Sequence, residues 1–186
     1  MPRAGLSPDL IVSEAARLAD EVGRDRLTLT ELAKRFGVAQ PSLYKHVNGL
    51  DALQRLLAVR VVREVGDALR RAGTGKAGSD ALRAVANAYR DYALAHPGCY
   101  AYIVRAPAPG DDDLEAAAVE ILSVLNDVFA GYAITGKGAI DAARFVRSTL
   151  HGFVSLELGG GFELPRSVDR SFQRLIAATD QALAGW

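Results

Sequence analysis

The chain has 186 residues, of which 49% are hydrophobic and 24% are charged, and its formal net charge is zero. This composition provides enough apolar material for one or two compact cores and excludes a disordered chain. A single cysteine excludes an internal disulfide framework, and no uncharged apolar stretch approaches the roughly 18 residues of a membrane-spanning helix, so the sequence predicts a cytoplasmic protein without a membrane partner.

Three short helices are predicted first, in a chain whose abundant alanine and leucine favour an all-α fold. A helical stripe of apolar residues runs from residue 8 to about residue 23. Thr28 and Glu31 form a T-x-x-E capping box that begins the second helix, and Gly37 ends it. The third helix, of about two turns, carries residues 41–46.

A longer helix is predicted from Gly49 to about Arg71, and at 1.5 Å per residue it would be roughly 34 Å long. The flexible stretch AGTGKAGS follows it. Five further helical segments are predicted, over residues 80–95, 99–105, from the 106–113 loop to about 131, 139–158 and 167–184. The sequence thus predicts about nine helices, with a helix-turn-helix domain over 1–48 and a helical ligand-binding and dimerisation domain over 49–186.

Charge is unevenly distributed along the chain although the total is zero. Residues 24–60 contain seven Lys or Arg residues and three acidic ones, whereas residues 106–135 contain six acidic residues and no basic one. A basic segment in a neutral chain favours a polyanionic partner for that segment. Ordinary solvated helix faces explain the same pattern, so charge alone leaves both interpretations open.

Residues 29–47 have the pattern of a helix-turn-helix, because a glycine-centred turn separates two short helices. Leu43 and Val47 are four residues apart, so both are expected to face inward and pack against the preceding helices. Tyr44 and Lys45 would then point away from this core. Because a helix of this size enters the major groove of B-DNA, the second short helix is predicted to recognise DNA.

The stretch LTLTELAKRFGVAQPSLYKHVNGLDAL, residues 27–53, resembles the DNA-binding signature of the tetracycline-repressor (TetR) family of transcription regulators. The shared pattern is a capping threonine, L-A-x-x-x-G-V, L-Y-x-H-V and a long helix that opens with A-L. Two positions depart from it, since Ala39 and Leu50 stand where many members have a serine or threonine cap and a lysine. The stretches AHPGCY and STLHGFVSLELGGGF resemble a subgroup with a Trp-His-Gly-like motif, whose tryptophan position is changed here.

The resemblance implies a ligand-responsive repressor that binds a palindromic DNA operator as a homodimer and is released by a small molecule. The residues that it places at DNA are Arg3, Thr28, Gln40, Pro41, Ser42, Tyr44, Lys45 and His46. Among them Gln40 is the best reader of base edges, and Arg3 would reach a minor groove or a phosphate. Tyr44 and His46 have a second interpretation, as residues that seal the helix-turn-helix core.

The implied homodimer would form through the last two predicted helices. Residues 145–158 are apolar on more than one side of their helix, and the last helix has an i, i+3, i+4 apolar stripe. The candidate interface residues are Phe153, Leu156, Phe172, Leu175, Ile176, Thr179 and Leu183. Such a dimer would hold two recognition helices about 34 Å apart, which is one turn of DNA. A monomer core explains the same stripes, so this alternative stays open.

A ligand pocket is expected in the larger domain, where aromatic and apolar residues accompany a few polar groups. The candidate lining residues are Tyr89, Tyr92, His96, Tyr100, Ile103, Leu122, Asn126, Phe129, Arg147 and His151. His151 and Arg147 share a helical face, and together they would hold a carboxylate or a carbonyl. The alternative is that His151 is a satisfied core histidine and that His96 is a helix-end residue.

Two other classes of function are alternatives to DNA binding. An enzyme would use Ser148, His151 and Glu157, but the first two lie on one helix with no nucleophile elbow or oxyanion loop nearby. The three histidines and one cysteine lack metal-ligand spacing, and no nucleotide-binding motif follows a strand, so neither a metal nor a cofactor is expected. The second alternative is a helical protein-interaction module.

Overall fold

The computed structural model describes residues 5–186. Over this range the chain forms eight α-helices, two 3-10 helices and no strand, which confirms the all-α prediction. The α-helices are α1 (Pro8–Val22), α2 (Leu29–Phe36), α3 (Gly49–Gly73), α4 (Gly78–Ala95), α5 (Pro97–Tyr100), α6 (Asp112–Ala130), α7 (Gly136–Leu158) and α8 (Val168–Ala184). The 3-10 helices are Arg24–Arg26 and Gln40–Lys45.

Two short elements differ from their predicted form. The third predicted helix is a pair of 3-10 turns, closed by bonds of 2.9 Å from Ser42 N–H to the Ala39 carbonyl and from His46 N–H to the Leu43 carbonyl. Ala39 caps it without a side-chain hydrogen bond, and 3-10 geometry is usual for so short a segment. The short helix predicted over 99–105 begins earlier, because Pro97 occupies its first turn.

The ends of α2 follow the cap residues in the sequence. Thr28 Oγ1 accepts a hydrogen bond of 3.1 Å from the Glu31 N–H, as the capping box predicts. Lys34 Nζ donates to the Glu31 carboxylate at 3.0 Å. This ion pair between residues three positions apart stabilises the exposed side of α2. Gly37 ends the helix with φ of 64°, a left-handed conformation that favours glycine.

The described chain divides into two compact units. Unit 1 comprises the described residues up to Val62 together with His96–Leu114, and unit 2 comprises Arg63–Ala95 and Glu115–Trp186. The division therefore falls inside α3 and returns near the start of α6. The boundary predicted at residue 48 divides the chain by function and not by packing, and it stays a prediction.

Each unit has its own apolar core. In unit 1 the side chains with no solvent exposure are Ile11, Ala15, Ala19, Leu32, Leu43, Leu53, Leu57, Ala58 and Val61. In unit 2 they include Ala93, Phe129, Ala142, Val154 and Phe172. Full burial of one leucine or phenylalanine contributes about 1.5–3 kcal/mol, so these clusters supply much of the stability of each unit. No helix in residues 5–186 combines the length and apolar character needed to cross a membrane.

Candidate nucleic-acid interface

The recognition segment, residues 39–48, is held by two apolar side chains and presents polar ones to solvent. Leu43 has no exposed surface and Val47 is 3% exposed, as their four-residue spacing predicted. Tyr44 is half exposed, and Lys45 is also exposed. The expected orientation of inner and outer faces is therefore confirmed, and it places a tyrosine and a lysine where a duplex can reach them.

Gln40 lies in a short hydrogen-bonded chain at the start of the recognition segment. Thr30 Oγ1 on α2 donates to Gln40 Oε1 at 3.1 Å. Gln40 Nε2 in turn donates to the hydroxyl of Tyr44 at 3.4 Å. Thr30 was not singled out from the sequence, because its partner is ten positions away and neither residue belongs to the apolar pattern.

The remaining predicted DNA contacts differ in how exposed they are. Thr28 and Pro41 are exposed, whereas Ser42 and His46 are half buried. The Thr28 hydroxyl accepts the capping bond of α2, and its own O–H remains able to donate to a phosphate. Arg3 lies outside the described residues. The roles of these side chains at DNA stay predictions.

Several arginines of the basic segment are paired inside unit 1. Arg35 contacts both Glu14 and Glu21, and the hydrogen bond with Glu21 is the main cause that raises the pKa of Arg35 and lowers that of Glu21. Arg55 Nη2 lies 2.5 Å from Asp111 Oδ1, and this hydrogen bond lowers the pKa of the buried Asp111. The acidic stretch thus neutralises part of the basic one.

Lys45 remains as a cation of the recognition segment that makes no ion pair with any described residue. Arg24 lies over the Tyr102 ring at 5.2 Å from its centroid and donates to the Ala101 carbonyl. Arg26 donates to the Val22 carbonyl. Arg24 and Arg26 keep their positive charge in these contacts, whereas the charges of Arg35 and Arg55 are paired with carboxylates.

Residues 96–105, here called the docked segment, pack directly on α1 inside unit 1. A Cβ at Gly98 would lie 1.8 Å from the Ala19 carbonyl oxygen, so only glycine fits. The Cys99 N–H donates to Asp20 Oδ1 at 2.8 Å, and His96 Nδ1 lies 3.0 Å from Asp20 Oδ2. The segment is thereby seated on the backbone and the carboxylate at the end of α1.

Three residues predicted to line the ligand pocket belong to this docked segment. His96 contacts Asp20, which supports its alternative interpretation as a helix-end residue. Tyr100 and Ile103 are 4% and 8% exposed and contribute to unit 1. They were predicted with the larger domain, but they lie in compact unit 1 because the docked segment packs on α1.

Two other polar pocket candidates, Tyr89 and Arg147, interact with His151 in unit 2. The Tyr89 hydroxyl lies 3.4 Å from His151 Nδ1, and Ser155 Oγ lies 3.3 Å from His151 Nε2. Burial lowers the pKa of His151, and the charge of Arg147 lowers it further. The Tyr92 hydroxyl donates to the Glu64 carboxylate at 2.8 Å. His151 is therefore a half-buried, hydrogen-bonded histidine, and its contact with a ligand stays a prediction.

The pocket candidates on α6 differ in burial, and their contact with a ligand stays a prediction. Phe129 has no exposed surface in the single chain. Leu122 is 48% exposed and Asn126 is also exposed, so neither is the wall of an enclosed site. An open cleft of about 530 Å³ does occur in unit 2, lined by Tyr132, Ala133, Ile134, Thr135, Gly138, Leu183, Ala184, Gly185 and Trp186. None of the predicted pocket residues contributes to it.

Most of the predicted interface stripe on α8 is core within the single chain. Its four fully covered members are Phe172, Ile176, Thr179 and Leu183, at 0%, 4%, 3% and 1% exposure. A covered side chain has no surface to offer a second copy, so the prediction of direct interface contact is corrected for these four. Leu156 is 55% exposed, and Phe153 and Leu175 are partly buried, so Leu156 has the largest surface to offer a partner and the other two have a smaller one.

An ion-pair network that the sequence did not indicate joins α4, α7 and α8. Arg90 donates to both carboxylate oxygens of Glu157, at 2.7 and 2.5 Å, and to Asp169 at 2.7 Å. Its guanidinium lies 4.9 Å from the centroid of Phe172. Because Glu157 pairs with Arg90, the arrangement does not support the loose Ser148, His151 and Glu157 set considered for an enzyme.

Sequence models of one family match both parts of the chain. The model described as bacterial regulatory proteins, tetR family, matches residues 11–49. The model described as the tetracyclin repressor-like C-terminal domain matches residues 82–179. The N-terminal and C-terminal matches therefore agree, and together they extend over most of the chain.

The chain is also similar to a regulator and to solved structures. It is 40% identical over 162 residues to the HTH-type transcriptional regulator Rv0681 of Mycobacterium tuberculosis, a match that covers 84% of this chain and 72% of the relative. Regulatory protein SCO4313 has a TM-score of 0.74 at 28% identity, with 96% of this chain and 95% of that chain covered. BioQ with its natural double-stranded DNA operator shares the fold at 20% identity, with a TM-score of 0.69 and coverage of 97% and 99%.

Proposed function

The chain belongs to the TetR family of transcription regulators, and from this premise we propose that it represses transcription by binding a palindromic operator as a homodimer. A small molecule that binds the helical C-terminal half would release it. Operator-bound BioQ, which has the same fold, supports the DNA-binding part of this proposal. The regulator works in the cytoplasm, where its operator lies.

The observation that carries the proposal is the geometry of the recognition segment. Leu43 and Val47 fix the segment to unit 1, while Tyr44 and Lys45 extend into solvent. The amide of Gln40 suits base edges, whereas the hydroxyl of Tyr44 and the ammonium of Lys45 suit phosphates. We assign base reading to Gln40 and phosphate contact to Thr28, Tyr44 and Lys45.

The homodimer would use the part of the predicted stripe that the chain leaves exposed. Leu156 on α7 is more than half exposed, and Phe153 and Leu175 supply neighbouring apolar surface. Large exposed apolar side chains mark interaction surfaces when they occur together. Two copies paired in this way would present their recognition segments to successive major grooves about 34 Å apart.

Release requires that the ligand bind one conformation better than the other, with a typical coupling of about 1–3 kcal/mol. We propose that His151, Tyr89 and Arg147 contact it in unit 2. His151 is uncharged over most of the physiological range because burial lowers its pKa, so Arg147 would carry the charge that attracts an anionic group.

Selection of bound sequences from random duplex DNA tests the proposed function. The purified chain should select a palindrome with half-sites about one helical turn apart. In the selected operator, Lys45→Ala should weaken binding to all sequences and reduce the log–log salt slope by about one for each lost phosphate contact. Lys137→Ala, an exposed lysine of unit 2, is the matched control and should leave the slope unchanged.

Two outcomes would contradict the proposal. Recovery of no sequence above background would favour the alternative of a helical protein-interaction module. If Lys45→Ala and Lys137→Ala reduced the salt slope equally, the recognition segment would not be the DNA interface. The enzyme alternative is disfavoured because the relatives are transcription regulators and because Glu157 pairs with Arg90.

A further inference from the structure

We propose that Thr30 is a positioning residue for sequence recognition, which holds the amide of Gln40 so that it reads an adenine. This inference rests on the proposed function, because it assumes that the recognition segment meets the major groove. Thr30 lies on α2, outside that segment, and its side chain is exposed on the same surface.

The orientation of Thr30 follows from the amphipathic pattern of α2. Leu29 and Leu32, on either side of it, are 5% and 0% exposed and turn that face of the helix inward. Thr30 therefore projects to solvent and reaches Gln40, to which its hydroxyl donates at 3.1 Å. The turn at Gly37 brings these two residues together.

The Gln40 amide is anchored at both of its polar atoms. Its oxygen accepts from Thr30, and its nitrogen donates to the hydroxyl of Tyr44 at 3.4 Å. Two anchors define the plane of the amide, whereas a single anchor would leave rotation about the terminal torsion, which is otherwise broad. Gln40 is half buried, which further restricts its side chain.

Counting hydrogen-bonding groups shows what the anchored amide offers to DNA. A glutamine amide has two acceptor positions on oxygen and two N–H donors, and the anchors occupy one of each. One acceptor and one donor remain side by side. An exchange of the oxygen and nitrogen positions keeps this count, because the hydroxyls of Thr30 and Tyr44 can each donate or accept.

The remaining pair of groups matches one base. Adenine presents an N7 acceptor and an N6 donor in the major groove, which a glutamine amide binds at two points. Guanine presents two acceptors there, and the anchored Gln40 has only one N–H left for them. The geometry thus favours an A·T pair at the position that Gln40 contacts.

Base-substituted operators test the role of Thr30. The affinities of the wild type, Thr30→Val, Thr30→Ser and Gln40→Ala would be measured at fixed salt for the selected operator. Each position would be changed in turn, and a random duplex would serve as the reference. Valine keeps the shape of threonine and removes the hydroxyl, whereas serine keeps the hydroxyl and removes the methyl group.

The expected result is a loss of selectivity at one position. Thr30→Val should lower the preference for A·T about fivefold at the base pair that Gln40→Ala also affects, with random-duplex affinity changed less than twofold. Thr30→Ser should restore the preference. A further protein that combines Thr30→Val with Gln40→Ala should discriminate no worse than Gln40→Ala alone, because the two residues act through one contact.

A second measurement uses the free protein. The side-chain NH₂ resonances of Gln40 in ¹⁵N-labelled protein should shift in Thr30→Val and return in Thr30→Ser. Unchanged Gln40 resonances in Thr30→Val would overturn the anchoring, and an equal loss of affinity for every duplex would overturn the role in specificity. If the wild type binds its operator and Gln40→Ala keeps full selectivity, this inference fails while the proposed function stands. If the wild type binds no duplex, both fail.

Discussion

The recognition segment and the docked segment belong to the same compact unit and both bury apolar side chains, but the docked segment has directional contacts in addition. Leu43 and Val47 attach the recognition segment through apolar burial. The docked segment buries Tyr100 and Ile103, and it is also attached through hydrogen bonds to Asp20 and through the close approach of Gly98 to α1. The recognition segment thus leaves its polar side chains open to solvent, whereas the docked segment uses polar groups for its attachment.

The difference indicates how each region tolerates change. Apolar burial is non-directional, so the exposed residues around Leu43 can vary without loss of the fold. Hydrogen bonds are directional and the approach of Gly98 to α1 leaves no space for a side chain, so the docked segment can occupy only one position on α1. Sequence variation is therefore expected on the surface of the recognition segment and restricted in the docked segment.

The largest effect is expected at Gly98. In Gly98→Ala the new Cβ would meet the Ala19 carbonyl oxygen at 1.8 Å and the Asp20 nitrogen at 2.7 Å, and backbone atoms cannot move aside cheaply. The free energy of unfolding, measured by urea denaturation, should fall by about 4 kcal/mol or more.

Gly152→Ala is the matched control for that variant, because its Cβ would meet no atom within 4 Å and Gly152 is inside α7. It should raise the free energy of unfolding by about 0.5–1 kcal/mol. Equal destabilisation by the two variants would contradict the claim that close packing of Gly98 on α1 holds the docked segment. The two segments would then not differ in how they are attached.

A smaller effect is expected for Leu43→Ala. Loss of a completely buried leucine should reduce the free energy of unfolding by about 3 kcal/mol and should speed hydrogen exchange in the recognition segment first. Leu164→Ala removes a leucine that is 83% exposed, so its stability should change by less than about 0.5 kcal/mol. If the docked segment exchanged first in Leu43→Ala, the two segments would not be separately held.

The smallest effect is expected at Asp20, whose carboxylate contacts Cys99 N–H and His96 Nδ1. Asp20→Ala should cost about 2 kcal/mol, since it leaves a partly buried N–H without its charged acceptor. Asp20→Asn keeps one acceptor for the Cys99 N–H and should cost about half as much. Thermal unfolding of the three proteins would measure this order, and a larger loss in the asparagine variant would contradict it.

Local signals predicted much of the fold. Thr28 and Gly37 mark the ends of α2 through short-range hydrogen bonds and backbone conformation. Both ends can therefore be predicted from neighbouring residues alone. The inward direction of Leu43 and Val47 likewise depends only on helical spacing. The form of the segment that carries them was less predictable, because six residues are too few for periodicity to distinguish a 3-10 from an α-helix.

Contacts between distant residues could not be predicted in the same way. Periodicity indicates which face of α8 is covered, but not what covers it, so Phe172 and Ile176 were consistent with a dimer interface and with a monomer core. The pairing of Arg90 with Glu157 joins residues 67 positions apart. No single-sequence pattern relates such residues, and the same applies to the Thr30 contact on which base reading is proposed to depend.

The pairing of Arg35 and Arg55 with carboxylates of the same chain has a consequence for how an operator would be bound. Two of the seven basic residues in 24–60 are thereby less able to displace the counterions of DNA, so a lone subunit of the proposed dimer would bind a half-site more weakly than the charge count implies. Tight binding would instead come from avidity. In the proposed dimer, binding of one half-site would present the second to its recognition segment at a millimolar effective concentration, and occupancy would depend on the distance between the two recognition segments.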